Sequence, residues 1–179
     1  MAVYVAFLRG INVGGSTKLP MAELREIVTG AGFADVDTYI QSGNVVFSAG
    51  GRRFPDAVAD QLQSAIAARV PFKPQVVVRT RSQLRRLVDG NPFLARGEDE
   101  AVQHVACFPS SVKPKLEIDL APYAPEEAEV RGNEVYFHLP LGVGRSKLAG
   151  DLARRHRANG TMRNWRTITR LLDMANDRG

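Results

Sequence analysis

The sequence predicts an α+β protein whose first half runs β-α-β-β-α-β and whose second half is a degenerate α+β unit with basic C-terminal helices. Three observations carry that prediction. Ala2 to Leu8 is a strand-length apolar run with no polar interruption, so both of its faces should be covered. Two stretches of helical period, each opened by a proline, separate the strands that follow. In the second half Gly132-Asn133 stands between two strand-like runs, a hairpin signal.

Taken in order, Pro20 opens a helix whose Met21, Leu24, Ile27, Val28 and Ala31 share one face, closed by Gly30 and Gly32. Val36 to Gln41 and Val45 to Ser48 read as strands joined at Ser42-Gly43-Asn44. Pro55 and Asp56 start a second helix carrying Val58, Leu62, Ala65 and Ile66, and Pro71 stops it. Gln75 to Arg79 is the fourth strand. This is the ferredoxin-like order, completed within residues 1–79.

Residues 80–179 form the second subdomain. Thr80 and Gln83 make a capping box for a short helix bearing Leu84, Leu87 and Val88, which Asn91-Pro92 breaks. A strand follows from Val102 to Phe108. Lys113 to Leu120 is expected to be a helix, since that would repeat the order of the first half. Glu127 to Arg131 and Glu134 to Leu139 form the hairpin. A helix runs to about Arg155, Ala158-Asn159-Gly160 links, and a last helix is expected from Thr161 to Asn176.

The 179 residues include one cysteine, Cys107, which excludes an intramolecular disulfide. No apolar run reaches the roughly 20 residues of a bilayer span, and the N-terminus lacks a basic secretory n-region, so a cytoplasmic protein without membrane contact is expected. From Pro140 onward nine Lys/Arg stand against three Asp, while the rest of the chain is nearly balanced. A basic last quarter favours a polyanionic or phosphorylated partner.

Arg9 to Pro20 is the chemically richest stretch. It joins the first strand to the first helix and combines Gly10, Gly14 and Gly15 with Arg9, Asn12, Ser16, Thr17 and Lys18. Glycine-freed backbone N–H groups beside a helix start and two cations are the ingredients of an anion site. It is not a P-loop: Gly10 and Gly15 have the spacing, but Ser-Thr-Lys follows where Lys-Ser/Thr is required. A second loop, Gly142-Val-Gly144-Arg145-Ser146-Lys147, also leads into a helix.

In the last helix Met162, Trp165, Ile168, Leu171, Leu172 and Ala175 form an apolar stripe, with Arg163, Arg166 and Arg170 on another face. Catalytic patterns are sparse. His104 and Cys107 would lie on opposite faces of a strand, and His104, His138 and His156 give no metal-ligand spacing, so neither metal nor cofactor is expected. The β-α-β-β-α-β order is shared with RNA-recognition domains, yet Val45-Val46-Phe47 lacks their paired third-strand aromatics.

Phe7 to Gly15, Gln41 to Phe47, Ser146-Lys147 and Thr161 to Trp165 together resemble the signature segments of a bacterial family catalogued as domain of unknown function 1697. The resemblance runs over nearly the whole chain, with the first and last segments the most specific. Met162 departs from the Thr or similar residue expected there. The resemblance implies a ferredoxin-like α+β organisation and no known activity. It also selects polar loop residues: Arg9, Asn12, Gly14, Gly15, Lys18, Ser42, Asn44, Ser146, Lys147, Arg163 and Asn164, expected to converge on one basic pocket at the junction of the halves. Two functions are compatible with that pocket. One is binding of nucleic acid or another phosphorylated ligand. The other is a small enzyme on a phosphorylated or anionic metabolite, with Lys18 or Lys147 as electrostatic stabiliser. The sequence sets no oligomeric state.

Overall fold

The computed structural model describes residues 1–155 and 160–178. Most of the expected link Ala158-Asn159-Gly160, together with His156 and Arg157, lies outside the described residues. The chain divides into two compact units, Met1–Arg85 with Arg170–Gly179, and Arg86–Thr169. Each contains a four-stranded antiparallel sheet.

In the first unit β1 (Ala2–Arg9), α1 (Met21–Gly30), β2 (Ala34–Tyr39), β3 (Asn44–Ala49), α2 (Pro55–Ala67) and β4 (Gln75–Thr80) follow in the expected order. The sheet order is β2-β3-β1-β4, with Val5 opposite Val46 on one side and Arg79 on the other. One sheet face presents Tyr4, Ala6, Leu8, Val45, Phe47, Val76 and Val78 to Leu24, Ile27 and Val28 of α1 and Val58, Leu62 and Ile66 of α2. Each large aliphatic side chain fully buried here contributes roughly 1.5–3 kcal/mol. Val3 through Leu8 and Asn44 through Ala49 are buried on both faces, so these two strands offer no open base-stacking surface.

The outer strand β2 is irregular. Its register shifts between Ala34 and Asp37, Asp35 has φ 51°, and Arg178 Nε donates to the Asp35 carbonyl at 3.1 Å. At the other edge, Thr80 and Gln83 cap α3 (Arg81–Asp89) reciprocally: Thr80 N–H donates to Gln83 Oε1 at 2.9 Å and Gln83 N–H to Thr80 Oγ1 at 3.2 Å.

The second unit contains a short helix α4 (Pro92–Ala95) that the sequence reading missed, then β5 (Gln103–Cys107), β6 (Glu127–Arg131), β7 (Glu134–His138), α5 (Lys147–Arg155) and β8 (Thr161–Asn164). The sheet order is β6-β7-β5-β8. Ala106, Phe108, Ala128, Val135, Phe137 and Leu139 pack with Leu148, Ala149 and Leu152 of α5.

Two expected helices are corrected here. Residues 113–120 form no helix, and Val112, Pro114, Leu116, Ile118 and Leu120 face inward while the residues between them are exposed. The pattern has period 2, and Pro114 would remove a helical N–H. Thr161–Asn164 is not helix but strand β8, paired with β5 so that Cys107 faces Thr161 and His104 faces Asn164. The last helix, α6 (Trp165–Asn176), begins after Asn164, whose Oδ1 accepts the Thr167 N–H at 2.8 Å. Its stripe of Trp165, Ile168, Leu171, Leu172 and Ala175 is buried as expected, but Arg163 does not share a helix face with Arg166 and Arg170.

Candidate functional site

In the first unit the loop after β1 closes on itself. Asn12 N–H donates to the Thr17 carbonyl at 2.8 Å, and Val13 and Thr17 exchange two bonds through Thr17 Oγ1 at 3.2 and 2.9 Å. The Asn12 side chain staples the loop to its surroundings. Its Nδ2 donates to the carbonyls of Leu19 (3.0 Å) and Gln41 (2.8 Å), and its Oδ1 accepts the Leu19 N–H at 2.8 Å. Asn12 adopts φ 55°, a left-handed conformation that Asn tolerates better than most residues.

The β2–β3 turn docks directly beneath. Gly43 has φ 78°, and its carbonyl accepts the Leu8 N–H at 2.8 Å. A Cβ at Gly43 would lie 2.6 Å from Ile11 Cδ1 and 2.8 Å from Leu8 Cβ, so only glycine lets the two segments approach. Asn44 is fully buried and donates to the Tyr39 carbonyl and Ser42 Oγ, both at 3.0 Å. Arg9, Asn12, Gly14, Gly15, Lys18, Ser42 and Asn44 thus belong to one loop cluster. Within it Asn12, Ser42 and Asn44 hold the shape.

What this cluster leaves outward is a loop tip and a cation. Gly14 (φ 68°), Gly15 (φ 81°) and Ser16 are exposed, and their backbone N–H groups have no acceptor among the described residues. Lys18 is exposed next to them, and α1 starts after Pro20 with no side chain capping its first turn. Ile40, in the adjoining turn, is half exposed with φ 52°, an uncommon strain for a β-branched residue and of the kind that gathers at functional loops. Val13 is 69% exposed. An open cavity of about 540 Å³, lined by Ala2, Tyr4, Arg52, Thr80 and Arg81 among others, lies at the opposite end of β1, about 23 Å away along an eight-residue strand.

In the second unit Ser146 Oγ accepts the Ala149 N–H at 2.9 Å and so caps α5, while buried Glu126 Oε2 accepts the Leu148 N–H at 3.0 Å. Lys147, the first residue of α5, is exposed. Arg163 is half buried on β8 and donates to Thr161 Oγ1 (2.9 Å) and the Met162 carbonyl (2.8 Å). Loss of water around it lowers its pKa to about 10. Asn164 is the α6 cap. Cys107 is buried.

The sequence reading missed one cluster. Glu98, Glu127 and His138 converge in the second unit, each offering a ligand atom within 4.8 Å of the others. The partners of His138 are carboxylates, which histidine spacing alone does not reveal. Counting outward from Gly132-Asn133 places Glu127 opposite His138, a signal present in the sequence.

By class, then, this is an α+β protein of two four-stranded antiparallel sheets, the first of which carries a glycine-rich loop cluster. Residues 1–136 match the family described as protein of unknown function (DUF1697), and the chain belongs to that family. A conserved bacterial protein from Streptococcus pneumoniae has a similar solved structure, with a TM-score of 0.78 at 21% identity over 98% of this chain and 99% of that one. That likeness is one of fold. No curated protein matches the chain. No helix of the described residues is long and apolar enough to cross a membrane.

Proposed function

We propose that the protein binds a phosphorylated ligand, a nucleic-acid backbone or a smaller phosphate ester, with the Arg9–Lys18 loop as its principal contact. The observation that supports this most is the exposed Gly14-Gly15-Ser16 tip, whose N–H groups lack acceptors among the described residues, beside exposed Lys18. A phosphate oxygen accepts such N–H groups, and a lysine adds the opposite charge. In this reading Arg9 and Lys18 supply charge, and Gly14 and Gly15 supply backbone donors. Asn12, Ser42 and Asn44 keep the loop in shape. Lys147, beside the Ser146 cap of α5, and Arg163, on β8 before the Asn164 cap of α6, belong to the basic last quarter that favours the same chemistry.

The test is binding of labelled single- and double-stranded RNA and DNA at two salt concentrations, beside inorganic phosphate and nucleotides, for the wild type and for Lys18→Ala, Lys147→Ala and Arg163→Ala. Nucleic-acid binding that weakens steeply with salt and with Lys18→Ala supports a backbone ligand. Binding of nucleotides alone, lost in Lys18→Ala, supports a small ester. Failure of every phosphate probe at low salt sinks the proposal.

A further inference from the structure

We infer that Glu98, Glu127 and His138 form a site for a divalent first-row transition cation of the zinc class, and that Arg96 competes with the metal for Glu127. The donor set comes first. His138 Nε2 lies 3.4 Å from Glu98 Oε2, and Nδ1 lies 3.6 Å from Glu127 Oε1. Both separations exceed a hydrogen bond, and a neutral imidazole has only one N–H to offer two carboxylates. His138 Nδ1 is buried and without a hydrogen-bond partner. A buried ring nitrogen without a hydrogen-bond partner beside carboxylate oxygens is what a Lewis-acidic cation satisfies.

A metal takes one ring nitrogen, and one ligand atom from each of the three residues lies within 4.8 Å of the other two. Metal–ligand bonds of about 2.0–2.2 Å place tetrahedral ligand atoms roughly 3.4 Å apart. The His138 side chain is fixed at 12% exposure, while Glu98 and Glu127, at 38% and 45%, have room to rotate the remaining distance. Imidazole with carboxylate suits zinc, manganese or iron(II) rather than calcium, which takes oxygen donors. Three protein ligands leave a further position for water or an exogenous anion.

The supporting structure is built around this cluster. Glu127 and His138 face each other across the β6–β7 ladder. The loop bearing Glu98 is tied down by its own N–H to the Phe93 carbonyl at 3.1 Å, and by Gln103 Nε2 to the Glu98 and Asp99 carbonyls at 3.0 and 3.1 Å. Buried Asn91 in turn donates to Gln103 Oε1 at 2.6 Å. Arg96 forks both oxygens of Glu127 at 3.1 and 2.8 Å with its guanidinium 4.9 Å from the Phe93 ring centre. It is exposed, so it can withdraw when a metal claims Glu127.

The experiment is a titration of the chelator-stripped full chain at neutral pH with Zn²⁺ by calorimetry and with Co²⁺ by visible absorption. One-to-one binding is expected, weakened at least about tenfold in His138→Ala and Glu98→Gln and tightened in Arg96→Ala. Glu98→Gln, on a partly exposed loop residue, carries the test should His138→Ala fail to fold. Absence of a one-to-one isotherm overturns the inference. Equal binding by wild type and Glu98→Gln also overturns it.

Discussion

Asn12 and Gln41 stand 29 residues apart, yet Asn12 Nδ2 donates to the Gln41 carbonyl at 2.8 Å. With its two bonds to Leu19, that contact fuses the glycine loop and the β2–β3 turn into one body. Asn12→Ala removes all three bonds and places alanine at φ 55°. A loss of about 2 kcal/mol is expected at net hydrogen-bond values discounted for exposure, read as a lower urea midpoint at unchanged slope. A midpoint equal to wild type would mean that the loop holds its shape without the staple.

Gly43 and Gly14 separate packing from backbone strain. Both have positive φ, but Gly43 faces Leu8 and Ile11 at under 3 Å from a built Cβ, whereas Gly14 faces open space. Gly14→Ala should cost about 1 kcal/mol for the backbone alone. Gly43→Ala should cost about 2–4 kcal/mol, because overpacking adds to it. Thermal unfolding of the pair distinguishes them, and equal costs would refute the close approach.

His104 makes stability depend on pH. Burial pushes its pKa below the ordinary 6.5, and a backbone contact at Val102 offsets this only in part. Above 6.5 the ring is neutral in both states and contributes no slope. As pH falls below 6.5 the unfolded chain takes up a proton that the folded chain resists, so stability declines until the lowered folded value is passed. His104→Asn should flatten the melting temperature between neutral pH and that window. An unchanged slope would assign the acid sensitivity to other groups.

Asn133 pins the irregular segment over the second sheet. Its Nδ2 donates to the carbonyls of Pro109 at 3.2 Å and Val112 at 2.5 Å. Asn133→Ala should cost about 1–2 kcal/mol and raise proteolysis selectively within residues 109–120. Cleavage spread evenly over the chain would argue against this local role.

Much of this fold was legible. Pro55, the Thr80–Gln83 box and the Gly132-Asn133 turn are local signals, and each appears where its chemistry places it. The failures lie in the second unit. Val112 to Leu120 alternates with period 2, and an expected repeat of the first half overrode that pattern. Thr161 looked like a helix cap, but Asn164 is the residue that accepts the Thr167 N–H, and β5 recruits the four residues before α6. For the candidate loop cluster, residue types were readable, whereas the roles of Asn12, Asn44 and Ser146 as staples and caps depend on partners that only the folded chain supplies.

The irregular outer strand β2 bears on how the protein behaves when crowded with copies of itself. An exposed edge invites another strand by offering a regular row of donors and acceptors. Here the shift between Ala34 and Asp37 breaks that row, exposed Asp35 and Asp37 set carboxylates along it, and Arg178 already occupies the Asp35 carbonyl. The first sheet is thereby protected on that side against growing into a fibril, and edge-to-edge polymerisation would first have to dislodge Arg178 and straighten the bulge.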